Sequence, residues 1–218
     1  MKRITIIAGH YGSGKTNIAV NLALMLKKQG IETVIADLDI VNPYFRTKDS
    51  LDELNDAGIK LISSEYANSN VDIPAIPQDM YSIVDDKSSH YIVDLGGDDR
   101  GAYALGRYAD KIKEENDYDM FFVFNKYRPL TRDAESAFEV MKEIEDASKV
   151  KFTAIINNSN IGELTDAGAV LSSSEECNKL SFLSGIPVIF TTAEKSVCDS
   201  LNDFEGQLFP LSLQKKII

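Results

Sequence analysis

The chain has 218 residues, 44% hydrophobic and 26% charged, with 23 Lys and Arg against 34 Asp and Glu for a formal charge of −11. This is ordinary globular composition, and the length suits a single domain over residues 1–218 with a sizeable core, or at most a domain with an inserted lobe. An acidic surface repels phosphate backbones and no long basic run is present, which argues against a nucleic-acid partner. No apolar run approaches the roughly 20 residues of a membrane span, and Met1-Lys2-Arg3 leads into a strand pattern rather than a signal peptide. A cytoplasmic protein is expected, with Cys177 and Cys198, which form no C-x-x-C, as reduced thiols.

Ile4-Thr5-Ile6-Ile7-Ala8 reads as a buried strand, and Ile18, Ala19, Leu22, Ala23 and Leu26 recur at helical spacing. Between them lies Gly9-His10-Tyr11-Gly12-Ser13-Gly14-Lys15-Thr16, which fits G-x-x-x-x-G-K-[ST] in the strand–loop–helix context that a phosphate-binding loop requires. Glycines bring backbone N–H groups close to phosphate oxygens, and the helix N-terminus adds a favourable dipole. Lys15 should reach the β- and γ-phosphates, and the Thr16 hydroxyl should bind Mg²⁺. Gly9 through Asn17 is the expected nucleotide-binding segment.

Gly30 is placed to end the helix in a left-handed cap. A second strand, Glu32 to Asp37, ends in Asp37-Leu38-Asp39. Two acids at the carboxyl end of a strand would stand beside a nucleotide, where they can hold metal-bound water or orient an attacking water; a solvated Asx-turn is the bland alternative. Ser50 to Ala57 reads as a short helix ended by Gly58, and Ile59 to Ser63 as a third strand. Ser64 to Gln78, polar and carrying Pro74 and Pro77, should be a long surface loop serving as a lid or partner contact. Asp79 to Asp86 reads as helical.

His90 to Asp94 is an apolar strand closing on Asp94-Leu95-Gly96-Gly97. An Asp so placed reaches Mg²⁺, usually through water, and Gly97 can present a bare N–H to the γ-phosphate. A helix is expected from about Ala102 to Asn116. Arg100 and Arg107 could stabilise transition-state charge, though such arginines more often pair with nearby acids.

Met120 to Phe124 is a continuous apolar run suited to a strand buried on both faces. The following Asn125-Lys126-Tyr127-Arg128 looks like the guanine signature N-K-x-D, but Arg cannot accept the guanine donors that Asp accepts. Thr131 is expected to cap the next helix, with Asp133 in its first turn and Ala134, Ala137, Phe138, Met141 and Ile144 as its buried stripe. Further strands are expected at Phe152–Ile156 and Pro187–Thr192, with a helix within Thr165–Ser184. The Asn- and Thr-rich ends of those strands could form a base pocket or be plain polar turns. The tail from Phe204 to Ile218 could be a short amphipathic membrane helix, but Pro210 breaks that reading and packing on the domain is preferred.

The order of phosphate loop, D-x-D, D-x-x-G and a late Asn resembles the MinD/ParA group of P-loop ATPases, the CobQ/CobB/MinD/ParA nucleotide-binding domains, over about residues 1 to 195. That resemblance implies an α/β fold with a doubly wound, largely parallel sheet in three layers. It also implies Mg²⁺, ATP as substrate, and often a nucleotide-dependent homodimer. It places Lys15 and Asp39 in catalysis, with Asp39 orienting water; Thr16, Asp37 and Asp94 around the metal; Gly97 in the second switch; and Asn158 on adenine. One departure stands out. The family loop carries a Lys, reaching across the dimer, where this chain has His10, and a Gly where it has Tyr11. A His of ordinary pKa, ~6.5, is charged in only about a quarter of molecules at pH 7. Tyr11 suggests a closer cover over the phosphates, or a contact with the base or a partner.

The reading that follows is an Mg²⁺-dependent ATPase acting as a switch for an unidentified protein partner, a regulatory or assembly hydrolase. An ATP-dependent small-molecule kinase or ligase would instead use the 64–78 loop, with Arg46 or Arg128, as an acceptor pocket. A non-hydrolysing nucleotide holder fits less well with Lys15, Thr16, Asp39 and Asp94 all present. The tail and the acidic charge argue against membrane and nucleic-acid roles.

Overall fold

A computed structural model describes residues 1–38, 51–63, 78–97, 99–201 and 204–213. Eight strands pair in one sheet: β1 (Ile4–Ala8), β2 (Thr33–Leu38), β3 (Lys60–Ser63), β4 (His90–Leu95), β5 (Tyr118–Phe124), β6 (Ala154–Asn157), β7 (Val188–Glu194) and β8 (Leu208–Leu211). Their order is β3-β2-β4-β1-β5-β6-β7-β8, and every neighbouring pair is parallel. The chain runs outward from β1 to β2 and β3, returns to β4, then crosses β1 to reach β5. The carboxyl ends of β4, β1 and β5 therefore flank the reversal in strand order, where open α/β sheets place ligands.

The apolar runs form strands because both faces are covered. On β1, Ile4, Ile6 and Ala8 pack into one cluster with Val93, Phe122 and Met141, while Ile7 belongs to the opposite cluster with Ile18, Leu22 and Ile92. The period-two alternation of a strand sends successive side chains to opposite layers. Full burial of each Ile is worth about 1.5–3 kcal/mol. The second layer is filled by α1 (Lys15–Lys28) with α2 (Leu51–Asp56). The first is filled by α3 (Ser82–Asp85), α4 (Asp99–Gly106), α5 (Ala109–Glu115), α6 (Ala134–Ser148) and α7 (Ala167–Ser184). A short α8 (Lys195–Cys198) packs on β7 and β8. The result is the doubly wound α/β architecture with helices on both faces.

Three local expectations change. The helix expected from Ala102 to Asn116 begins at Asp99 and is broken at Arg107, where Arg107 and Tyr108 donate instead to the carbonyls of Ala104 and Leu105. The break buries Tyr108, whose ring meets Tyr81 edge-on at 5.3 Å. Thr131 does not cap α6. Its buried hydroxyl donates to the Asn125 carbonyl, and Asp133 is the cap, accepting from the Ser136 N–H. Phe138 and Ile144 are only partly buried, so the stripe of α6 runs through Ala134, Ala137, Val140, Met141 and Ala147. The tail contributes an eighth strand, with Pro210 on the sheet edge where a missing N–H is tolerated. Asn21 of α1 holds it down, exchanging hydrogen bonds with the Ser212 backbone. Asp39, Arg46, most of the 64–78 loop, Lys215, Lys216 and the terminal isoleucines lie outside the described residues.

Candidate nucleotide site

β1 delivers the chain into the phosphate loop at Gly9, and the Ser13 N–H closes a turn onto the His10 carbonyl at 3.1 Å. Gly14 precedes α1 with φ +92°, and a Cβ there would sit 2.2 Å from the Asn158 Nδ2. α1 then starts with no side-chain cap and no acid in its first turn. Its first N–H groups and its dipole are thus presented bare, as an anion site requires. Lys15 is 6% exposed, and its Nζ donates to the His10 carbonyl at 3.2 Å, so the ammonium lies folded over its own loop. Asn17 is engaged by the Asn21 amide, which donates to both its carbonyl and its Oδ1.

On the β4 side, the Thr16 Oγ1 donates to the Asp94 Oδ2 at 2.6 Å. Asp94 and Asp37 are direct partners in the β4–β2 register, so the two buried carboxylates share a face of the sheet. Gly97 reaches the loop itself: a Cβ there would stand 2.6 Å from the Tyr11 nitrogen. Thr16 is thus bonded to Asp94, Asp37 stands beside Asp94 in the sheet, and Gly97 lies against the loop at Tyr11. A hydroxyl and two carboxylates are hard oxygen donors, a set that fits Mg²⁺ completed by water and phosphate. Arg100 and Arg107 are both exposed.

On the β5 and β6 side the structure departs from expectation. A register irregularity between Ile155 and Ile156 precedes Asn157 and Asn158. The Asn158 Nδ2 donates to the Ser13 carbonyl at 2.7 Å, and its Oδ1 accepts from the Thr192 hydroxyl at 2.6 Å. Both ends of the amide expected on adenine are therefore engaged beneath the phosphate loop, and the residue is 4% exposed. Asn157 likewise donates to Ser173 and accepts from Ser159, and Asn125 accepts from the N–H groups of Tyr127 and Asn160. The polar strand ends brace one another and the loop.

The residue least expected at the loop is Arg128. Its Nε donates to the Gly12 carbonyl at 2.8 Å, and the guanidinium lies over Gly12 closely enough that a Cβ would be 3.2 Å away. The segment is anchored from behind by Lys126, donating to the Ser172 carbonyl, and by Tyr127, donating to that of Ala169. The sequence offered Arg128 only as one side of an acceptor pocket; its contact with the loop crosses 116 positions. His10 is half-buried with its Nδ1 unbonded, and burial first, then the charges of Lys15 and Arg128, holds its pKa below the ordinary value. Tyr11 is 56% exposed. Cys177 is buried with its thiol pushed up to about 12, and neither cysteine is in a disulfide.

No curated protein sequence matches the chain. Solved structures do by fold. The cell division protein FtsY of Thermotoga maritima superposes with a TM-score of 0.59 at 17% identity, over 88% of this chain and 62% of that one. The signal recognition particle 54 kDa protein of Aeropyrum pernix, solved with GDP, gives 0.54 at 17% identity, over 86% and 40%. A nucleotide-binding protein of Archaeoglobus fulgidus, solved with ADP, gives 0.52 at 16% identity, over 91% and 84%. The chain thus spans less than two thirds of the FtsY and signal recognition particle chains. The family model for the CobQ/CobB/MinD/ParA nucleotide binding domain matches residues 4–168. With a phosphate loop on the first strand, the chain is a nucleotide-binding P-loop NTPase of the CobQ/CobB/MinD/ParA family.

Proposed function

We propose that this protein binds ATP with Mg²⁺ and hydrolyses it as a conformational switch for a protein partner. The observation that carries this reading is the bond from Thr16 to Asp94, which joins the uncapped start of α1 to the carboxylate ending β4. Thr16, Asp94 and Asp37 would hold Mg²⁺, which when bound neutralises charge on the β- and γ-phosphate oxygens. Lys15 would turn from the His10 carbonyl to the phosphates, and the bare N–H groups of the loop would receive their oxygens. Water, oriented by Asp39, bonds to the γ-phosphorus as the bond from that phosphorus to the β,γ-bridging oxygen breaks. The products are ADP and inorganic phosphate, and the water proton leaves with the phosphate or into solvent.

ATP is favoured over GTP because the position that would carry a guanine-reading Asp is Arg128, which has no oxygen to accept the guanine donors. Gly97 against the Tyr11 nitrogen supplies the coupling, since a γ-phosphate on the loop must share space with that contact. The kinase or ligase alternative needs an acceptor pocket beside the γ-phosphate. The surface groove bounded by Glu135, Glu175, Phe182 and Leu183 includes no loop residue and does not favour it.

The test is ATP turnover with Mg²⁺ for wild type, Lys15→Ala and Asp39→Ala, with mass measured in ATP and in ADP. Slow turnover that Asp39→Ala removes, binding that Lys15→Ala weakens at least ~100-fold, and an ATP-specific mass change are expected. Fast turnover by the isolated protein would count against a partner-controlled switch.

A further inference from the structure

We propose that Arg128 is a second phosphate-contacting cation of this site, supplied by the same chain that carries the loop and placed to favour ATP over ADP. The inference rests on the nucleotide reading above and names a group that reading does not use.

A guanidinium is a planar fork of five donors that cannot lose its charge in a protein. Arg128 is half-buried and uses one donor, its Nε, on the Gly12 carbonyl. Among the described residues its two terminal nitrogens bond no acceptor, and no carboxylate stands within ion-pair distance. Several other basic side chains in this acidic chain do find carboxylates: Arg3 pairs with Glu115, Lys151 with Glu145, Lys179 with Glu175 and Glu176, and the near neighbour Arg132 with Asp133. Arg128 instead lies against a glycine of the phosphate loop, where a Cβ would come within 3.2 Å of its Nε and push the side chain aside by a few tenths of an ångström.

A partly desolvated cation wants an anion, and a nucleotide phosphate is the anion this loop is built to hold. Burial first, then the charges of Lys15 and Arg128, holds the pKa of His10 below its ordinary value and so disfavours a charged His10 beside them. Glu143 opposes that effect from α6. Among the described residues, Lys15 and Arg128 are two permanent charges at the loop, one from its own helix and one following the end of β5. The Gly12 bond fixes the fork's position, and the terminal nitrogens supply the phosphate contact. Charge accumulates on the β,γ-bridge and γ-oxygens during hydrolysis, so a second cation acts on ATP and on the transition state more than on ADP.

The experiment compares Arg128→Gln, Arg128→Lys, Arg128→Ala and Lys15→Ala with wild type. It reads ATP and ADP affinities by calorimetry, single-turnover hydrolysis and nucleotide-free melting temperature. Arg128→Gln should weaken ATP binding roughly tenfold more than ADP binding and slow hydrolysis at least ~100-fold, with the melting temperature nearly unchanged. Arg128→Lys, which keeps charge without the fork, should fall between. Guanidinium ion at millimolar concentration should partly restore hydrolysis in Arg128→Ala. If Arg128→Gln and Arg128→Lys weaken ATP and ADP equally and guanidinium restores nothing, Arg128 is a loop clamp and the inference is overturned. Lys15→Ala separates the two levels: if it binds ATP like wild type, the nucleotide reading falls and this inference with it. If it loses ATP while Arg128→Gln keeps the wild-type ATP-to-ADP ratio and turnover, only this inference falls.

Discussion

The strands β1 and β4 carry dense polar groups at both ends, and the two ends are built on opposite principles. At the amino ends the groups satisfy one another. Arg3 makes a two-pronged bond to Glu115, at 2.5 and 2.6 Å, and donates to the Asp86 and Ile83 carbonyls. Lys87 also reaches Glu115, Tyr91 donates to Asp86, and His90 meets the Thr5 hydroxyl at 3.0 Å. Arg3 accordingly holds Glu115 below the usual carboxylate range. At the carboxyl ends, α1 begins uncapped, the His10 Nδ1 and the buried Ser13 Oγ lack partners, and Arg128 keeps donors in reserve. A saturated network contributes stability, whereas a preorganised, incompletely satisfied one is completed by a ligand. The same contrast separates helices: α6 and α7 are capped by Asp133 and Asp166, acids that at α1 would occupy the place of a phosphate.

Mutations can break this contrast at either end. The largest loss of stability is expected from Arg3→Ala, which strands two carbonyls and a half-paired Glu115. Urea unfolding should show about 4 kcal/mol lost, with ADP affinity unchanged within roughly twofold. An affinity loss of tenfold would mean the two ends are coupled.

The next effect is a pH dependence. Burial holds His90 down at about 4, against an ordinary value of 6.5. As pH falls through that window the unfolded chain takes up a proton that the native state refuses, so the contribution is full above 6.5 and lost by about pH 4. Relative to His90→Gln, wild type should lose up to about 3 kcal/mol between those limits, and unfolding curves from pH 4 to 7 check it.

At the carboxyl end, Gly14→Ala puts a side chain at φ +92° and drives the Asn158 amide off the Ser13 carbonyl. About 2 kcal/mol of stability and at least ~10-fold in nucleotide affinity should go together, since the loop's shape is itself the binding site. Calorimetry that found stability lost but affinity intact would place the loop's preorganisation elsewhere. The smallest change is Asp133→Ala, which removes an ordinary cap and should lower the thermal unfolding midpoint only slightly, with turnover unaffected.

How far the site could be read without a structure depended on the reach of each interaction. Gly9 to Thr16 announces itself because strand, turn and helix are contiguous and each is set by local chemistry. The Asp94-Leu95-Gly96-Gly97 end is legible for the same reason. Asn158 was recognisable as a polar strand end, but its partner, the Ser13 carbonyl, is 145 positions away, and only the sheet order brings them together. The same holds for Thr131, whose type suits a cap, whereas the buried Asn125 carbonyl was a better acceptor for its hydroxyl than solvent allowed. The break at Arg107 is also tertiary: a Cβ at Gly106 would come within 3.1 Å of the Ala147 carbonyl, and Tyr108 turns inward to the core.

By itself, then, the order of apolar runs and turn residues determined alternating strands and helices with a phosphate loop on the first strand, because period-two burial and glycine-rich turns are properties of neighbours in the chain; the doubly wound sheet came only as what the family resemblance implied. Only the tertiary structure decided which polar groups face the loop. Asp37 stands beside Asp94, Asn158 lies beneath Ser13, and Arg128 lies over Gly12 because β2, β4, β5 and β6 pair around β1 in that order. A strand order is fixed by the packing of two helical layers across the whole chain, and no local spacing encodes it.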